Sequence, residues 1–137
     1  MATLQFDREG EAGLGLFSWK NYFQAVNERN DDARIEQEDL QARTSDIVIF
    51  ETVFTLQRSY KRTRAAIASG LLPLIELSGV HLPGKRMYRR VFELYLQTSL
   101  GFADCYHVAL MEGLELTEIL SFDMDFDHIP GVTRREE

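Results

Sequence analysis

One cysteine, three prolines and no long apolar run set the outer limits on this chain of 137 residues. Cys105 has no second cysteine with which to form an intrachain disulfide. Its neighbours Ala103, Tyr106 and Val108 suggest a helix, so it reads as a packed thiol rather than a nucleophile. No apolar stretch approaches the ~20 residues needed to span a bilayer. The opening MATLQFDREGE carries acids where a signal peptide would carry basic residues. The chain is therefore expected to be soluble and cytoplasmic, without a membrane partner. Basic residues are the scarcer charge, 15 Lys and Arg against 22 Asp and Glu, for a net charge of −7. Since polyanion affinity comes mainly from Lys and Arg displacing counterions, that balance argues against broad, sequence-independent binding to nucleic acid. No Walker loop, dinucleotide fingerprint or zinc knuckle is present, and no Ser or Cys nucleophile with a matched base can be read. His81 and His128 lack ligand spacing. With no internal repeat and no low-complexity linker, a single domain over residues 1–137 is expected.

The elements that are present alternate in kind. Thr44 and Ser45 precede Ile49, Val53 and Leu56 at helical spacing, which predicts Ser45 as an N-cap and a buried helix over residues 46–60. TRAAIASGLLPLIELS is helical in composition, with a break near Leu72 expected from Gly70 and Pro73 and an end at Gly79. Val80 to Leu82 form a short strand stopped by Pro83 and Gly84. KRMYRRVFELYLQT then carries Met87, Val91, Leu94 and Tyr95 on one stripe of an amphipathic helix. Residues 102–114 predict a further helix with Phe102, Tyr106, Ala109 and Leu110 on one face, and residues 118–122 a short strand. Near the N-terminus LQF reads as a first strand ending at Asp7. GLFSWKNYFQAV reads as a helix, and NERNDDARIEQEDLQAR as a solvated helix or loop. Helices alternating with short apolar strands predict an α/β fold, a small parallel sheet flanked by helices.

Two basic clusters, Arg58, Lys61, Arg62 and Arg64, then Lys85, Arg86, Arg89 and Arg90, can each present a cationic face or simply solvate a helix. More informative are three acids in apolar company: Glu51 in IVIFETVF, Asp104 in LGFADCYHVAL and Asp123 in ILSFDMDF. An unpaired buried charge costs several kcal/mol, so each is expected to have a cation or hydrogen-bonding partner. One shared metal site would serve all three. Carboxylate oxygens suit Mg²⁺ or Mn²⁺, and such an ion can activate water and stabilise charge developing on a phosphodiester. His107, one turn after Asp104, reads as a packed or hydrogen-bonded histidine rather than a ligand.

TSDIVIFETVFTL, GFADCYHVALM and ILSFDMDFDHIPGV, in that order, resemble the three C-terminal motifs of PIN-domain proteins, the fold of the VapC-type toxin ribonucleases. The likeness covers about residues 44–133. It implies a parallel sheet with flanking helices, an acidic cluster that binds Mg²⁺ or Mn²⁺ and cleaves RNA, a homodimer, and a possible antitoxin partner. By motif, Glu51, Asp104 and Asp123 fall on the family's acids. Ser121 falls on a hydroxyl position that orients the cluster. Asp125 is either an outer ligand or a solvated acid, and Asp127 is expected to be solvated. The family's first acid has two registers here. One places Asp7 in the site. The other aligns SWKN, putting Trp19 in the acid's place and keeping only Asn21. The resemblance thus implies either a metal-dependent endoribonuclease using Asp7, Glu51, Asp104 and Asp123, or an impaired PIN-like module with a binding or regulatory role.

Overall fold

The computed structural model describes residues 3–8, 11–18 and 41–136, and the chain forms two compact units, Met1–Arg86 and Met87–Glu137. In the first unit, strands β1 (Thr3–Arg8), β2 (Glu11–Ser18), β3 (Gln41–Arg43) and β4 (Val80–His81) make one sheet in the order β2-β1-β3-β4. β1 runs antiparallel to both β2 and β3, while β3 and β4 are parallel. Parallel neighbours need a crossover, and helices α1 (Asp46–Arg58) and α2 (Arg64–Glu76) supply it.

Several local expectations are corrected here. LQF lies in β1 as read, but Asp7 is inside the strand, opposite Gln41, rather than at its end. Gly15 to Ser18 belong to β2 and not to a helix, with Leu16 opposite Gln5 and Phe17 opposite Leu4. Two residues separate these strands, the commonest hairpin length, and the resulting ladder prevails over helical spacing. The remainder of that expected helix, residues 19–26, and most of the charged stretch lie outside the described residues. The last three residues of that stretch are β3, where Ala42 is fully buried and Arg43 exposed.

Ser45 caps α1 as expected, its Oγ accepting the Val48 N–H at 3.4 Å, and the helix ends two residues earlier than read, at Arg58. Thr63 caps α2 in the same way through the Ala66 N–H at 3.1 Å. α2 passes through Pro73 without the break expected near Leu72. Pro73 lies three residues from the helix end, and the carbonyl it leaves without a donor belongs to exposed Ser69, where water can reach it. The buried face of this unit joins Ile49 and Val53 of α1 to Ile67, Leu71 and Ile75 of α2 and Val80 of β4.

The helix expected from Lys85 begins as a 3₁₀ turn, Lys85–Met87, where the first unit passes into the second, and continues as α3 (Tyr88–Gln97) in the second unit. α3 packs on α4 (Phe102–Gly113) through rings: Phe102 lies 5.1 Å from Phe92 and 5.4 Å, edge-on, from Tyr95. Such pairs contribute about 0.5–1.5 kcal/mol each beyond area burial. The face of α4 differs from the one read. Cys105, Val108 and Met111 are buried with Phe102 and Ala109, while Tyr106 is half-buried and Leu110 exposed. Cys105 is a packed free thiol, as expected. β5 (Glu118–Leu120) and β6 (Thr133–Arg135) pair in parallel, with Leu120 opposite Arg135. The fold is α/β, with short parallel strand pairs and flanking helices, as the sequence pattern predicts. Among the described residues no helix is long and apolar enough to cross a membrane.

Candidate functional site

Asp104 is the third residue of α4, in the turn whose backbone N–H groups have no intrahelical acceptor; Gly101, the N-cap, offers no side chain to satisfy them. Phe102 and Leu100, both buried, hold that turn in place. The Asp104 carboxyl is half-buried. Its pKa is raised, first by that burial and then by the Asp123 charge; His107 opposes the rise, and Asp125 adds to it. Asp104, Asp123 and Asp125 are thus brought into one electrostatic neighbourhood although about twenty residues separate them in sequence.

Asp123 follows β5 by two residues and caps a 3₁₀ turn, Met124–His128. Ser121 Oγ accepts the Asp123 N–H at 3.0 Å, and Asp123 Oδ1 accepts the Asp125 N–H at 2.9 Å. The hydroxyl therefore orients the backbone that carries the acid. Phe126, 2 % exposed, and Ile129 anchor the turn.

Arg134 of β6 closes the arrangement. Its Nε and Nη2 donate to both oxygens of Asp127 at 2.8 and 3.0 Å, and its Nη1 donates to the Ser121 carbonyl at 3.2 Å and to Glu136. Asp127 is exposed, as expected, and is also engaged in a two-point ion pair; the Arg134 guanidinium holds its carboxyl below the usual range. Sequence reasoning did not find Arg134 as a positioning residue. The only signal for it is an arginine in a short strand after a Pro-Gly turn, opposite an acid-rich loop.

Glu51 sits on α1 in the other unit, on an exposed stripe with Ile47, Phe54 and Arg58, whose guanidinium lies 4.4 Å from the Phe54 ring centre. Its apolar sequence context does not make it buried, because the inward face of α1 is Ile49, Thr52 and Val53. Asp7 lies in β1 of the same unit. His107 is exposed and meets Tyr106 edge-on at 6.2 Å, so it is less enclosed than read. The second basic cluster is partly neutralised. Arg90 forks onto Glu112 at 2.8 and 2.9 Å, and Lys85 donates to the Leu77 and Val80 carbonyls.

Among the described residues no three His, Cys, Asp or Glu side chains are already gathered at ion-holding distance. The chemistry of the donors nonetheless fits a hard divalent cation. Asp104 and Asp123 offer carboxylate oxygens, no Lys or Arg among the described residues pairs with either, and a cation would relieve the burial and repulsion acting on Asp104.

The structure is thus an α/β protein with short parallel strand pairs and flanking helices, carrying Asp104 at a helix start and Asp123 behind a strand. The PIN domain family model matches residues 20–132, and the chain belongs to the PIN-domain family. Its members are generally nucleases, usually metal-dependent, acting on RNA or DNA. The matched residues include Glu51, Asp104 and Asp123 and begin after Asp7. No curated protein and no solved structure matches the chain.

Proposed function

We propose that this protein is a Mg²⁺- or Mn²⁺-dependent endoribonuclease, formed by one PIN-like domain over residues 1–137 and acting as the toxin of a toxin–antitoxin pair. The observation that carries the reading is that Asp123 and Asp125 act electrostatically on Asp104, with no Lys or Arg paired to these acids among the described residues, at positions inside the family match. In this reading Asp104, Asp123, Glu51 and Asp7 are the metal ligands. When bound, the ion supplies positive charge that lowers the pKa of water and stabilises charge developing on a phosphodiester. The chain's own residues do the placing. Ser121 and Arg134 hold the loop that presents Asp123, and the start of α4 presents Asp104. A cytoplasmic homodimer held in check by an antitoxin completes the proposal.

A second reading, a PIN-like module that has lost cleavage, is favoured by one observation: the family match starts at residue 20, beyond Asp7. Incubating single-stranded RNA with the wild type and with Asp104→Asn and Glu51→Gln, with Mn²⁺ and with EDTA, tests the first reading. Mn²⁺-dependent cleavage lost in both variants is expected. A wild type that binds RNA without cutting it would select the second.

A further inference from the structure

An open cleft of about 570 Å³ in the first unit is lined by Arg43, Thr44, Ser78, His81 and Lys85 together with apolar residues, with no carboxylate in the lining among the described residues. In a chain with 22 acids and 15 Lys and Arg, that lining is the reverse of the average composition. The strand register explains how it arises. Ala42 pairs with Val80 and Arg43 with His81 in the parallel ladder, so one face of this two-strand edge is buried and the other carries Arg43 and His81 side by side. The two side chains spring from neighbouring strands about 4.8 Å apart. The Thr44 N–H donates to the His81 carbonyl at 3.1 Å, which locks the strands together just behind them. The Thr44 hydroxyl finds no hydrogen-bond partner among the described residues. Lys85 has a different part. Its ammonium donates to the Leu77 and Val80 carbonyls at 2.7 and 2.8 Å, and it faces the Glu76 charge, so it shapes the wall rather than offering a free cation.

A planar guanidinium beside an imidazole N–H donor and hydroxyl groups, with no acid among them, is the chemistry that holds a phosphoryl group. We infer that this cleft is a phosphate subsite that takes a backbone phosphate of single-stranded RNA, with Arg43 as its charged anchor and His81 as a second donor. The inference rests on the ribonuclease reading and deepens it. β3 runs directly into α1, so the subsite and Glu51 ride on one strand–helix segment, Glu51 lying about 7–8 Å along the helix from its start.

The test is equilibrium binding of a fluorescent single-stranded RNA 12-mer of mixed sequence to the full chain in EDTA, at several salt concentrations. Losing one phosphate contact lowers the salt slope by about 0.7 and weakens binding about five-fold near 0.1 M salt. Arg43→Gln is expected to show both effects, Arg43→Lys to retain the slope, and His81→Asn to weaken binding with a smaller change in slope. Arg43 and His81 are exposed, so neither change threatens the core. Wild-type slope and affinity in both Arg43→Gln and His81→Asn would overturn the subsite, as would a wild type that does not bind RNA, or Arg43→Lys losing as much as Arg43→Gln. Displacement of the RNA by inorganic phosphate or a nucleoside monophosphate at equal phosphate concentration would assign the cleft to a small ligand and overturn the RNA part. A wild type that binds RNA with these slopes but never cuts it in Mn²⁺ would refute the nuclease and leave the subsite standing.

Discussion

The run SFDMDFD holds two phenylalanines four residues apart, and the fold treats them in opposite ways. Phe126 is 2 % exposed and Phe122 81 % exposed. Replacing a buried Phe by Ala costs about 3–5 kcal/mol, through the lost transfer of the ring and the cavity left behind. Burial of about 150 Å² at 25 cal/mol/Å² gives a similar figure, near 4 kcal/mol. Phe126→Ala should therefore destabilise the protein by about 3–4 kcal/mol, whereas Phe122→Ala should change stability by less than about 0.5 kcal/mol. With a urea m-value of about 2 kcal/mol/M, the first variant should lose about 1.5–2 M in its unfolding midpoint and the second almost nothing. Urea titration followed by far-ultraviolet circular dichroism measures both. Since Phe126 anchors the turn that Asp123 caps, Phe126→Ala should also weaken Mn²⁺ binding in native buffer. Equal midpoints for the two variants would refute the placement of this loop.

Other expectations follow from the same residues. Burial and neighbouring acids raise the Asp104 pKa, so its contribution to metal-free stability is complete below the ordinary value of 3.8 and is lost as pH rises through the raised one. Asp104→Asn should flatten that decline and stabilise the metal-free protein at neutral pH while abolishing Mn²⁺-dependent cleavage; denaturation curves from pH 3 to 8 and an RNA assay check the two halves. Arg134→Met should lower Mn²⁺ affinity about ten-fold by freeing the Asp123 loop, with Arg134→Lys intermediate because it loses the two-point grip on Asp127. Asp7→Asn should weaken Mn²⁺ binding as much as Asp104→Asn does, measured by calorimetry; tight wild-type binding indifferent to the change would remove Asp7 from the ligand set.

The sequence was most legible where local chemistry decides structure. Ser45 announced the start of α1, the helix expected over residues 102–114 appears as α4, and the fold class followed from alternating helices and short strands. It misled where apolar context stood in for burial. Ile47 and Phe54 are 70 % and 57 % exposed on the same stripe as Glu51, because a helix with one buried face can be apolar on its outer face too. The β1–β2 hairpin was missed because GLFS fits either period, and only the ladder opposite β1 decides between them. The Arg134–Asp127 pair was illegible for a different reason. Its partners are seven residues apart across a turn, and nothing local aims one at the other.

Neighbouring acids of one loop have thus been given opposite electrostatic surroundings. Asp127 is matched by a guanidinium that lowers its pKa, and that pair holds the loop together with the buried Phe126 and Ile129 and the Ser121 hydroxyl. Asp123 and Asp125 instead face Asp104, whose carboxyl their charges push up. The Arg134 fork is committed to Asp127, and among the described residues His107 is what partly offsets the charges acting on Asp104. A divalent cation taken up by the cluster would bind the native state and not the unfolded chain, stabilising it by about 2.7 kcal/mol at one hundred times its dissociation constant. In the proposed reading, the same repulsion that raises the Asp104 carboxyl would favour an ion of high charge, and the Arg134 staple would hold the loop that presents Asp123 to it.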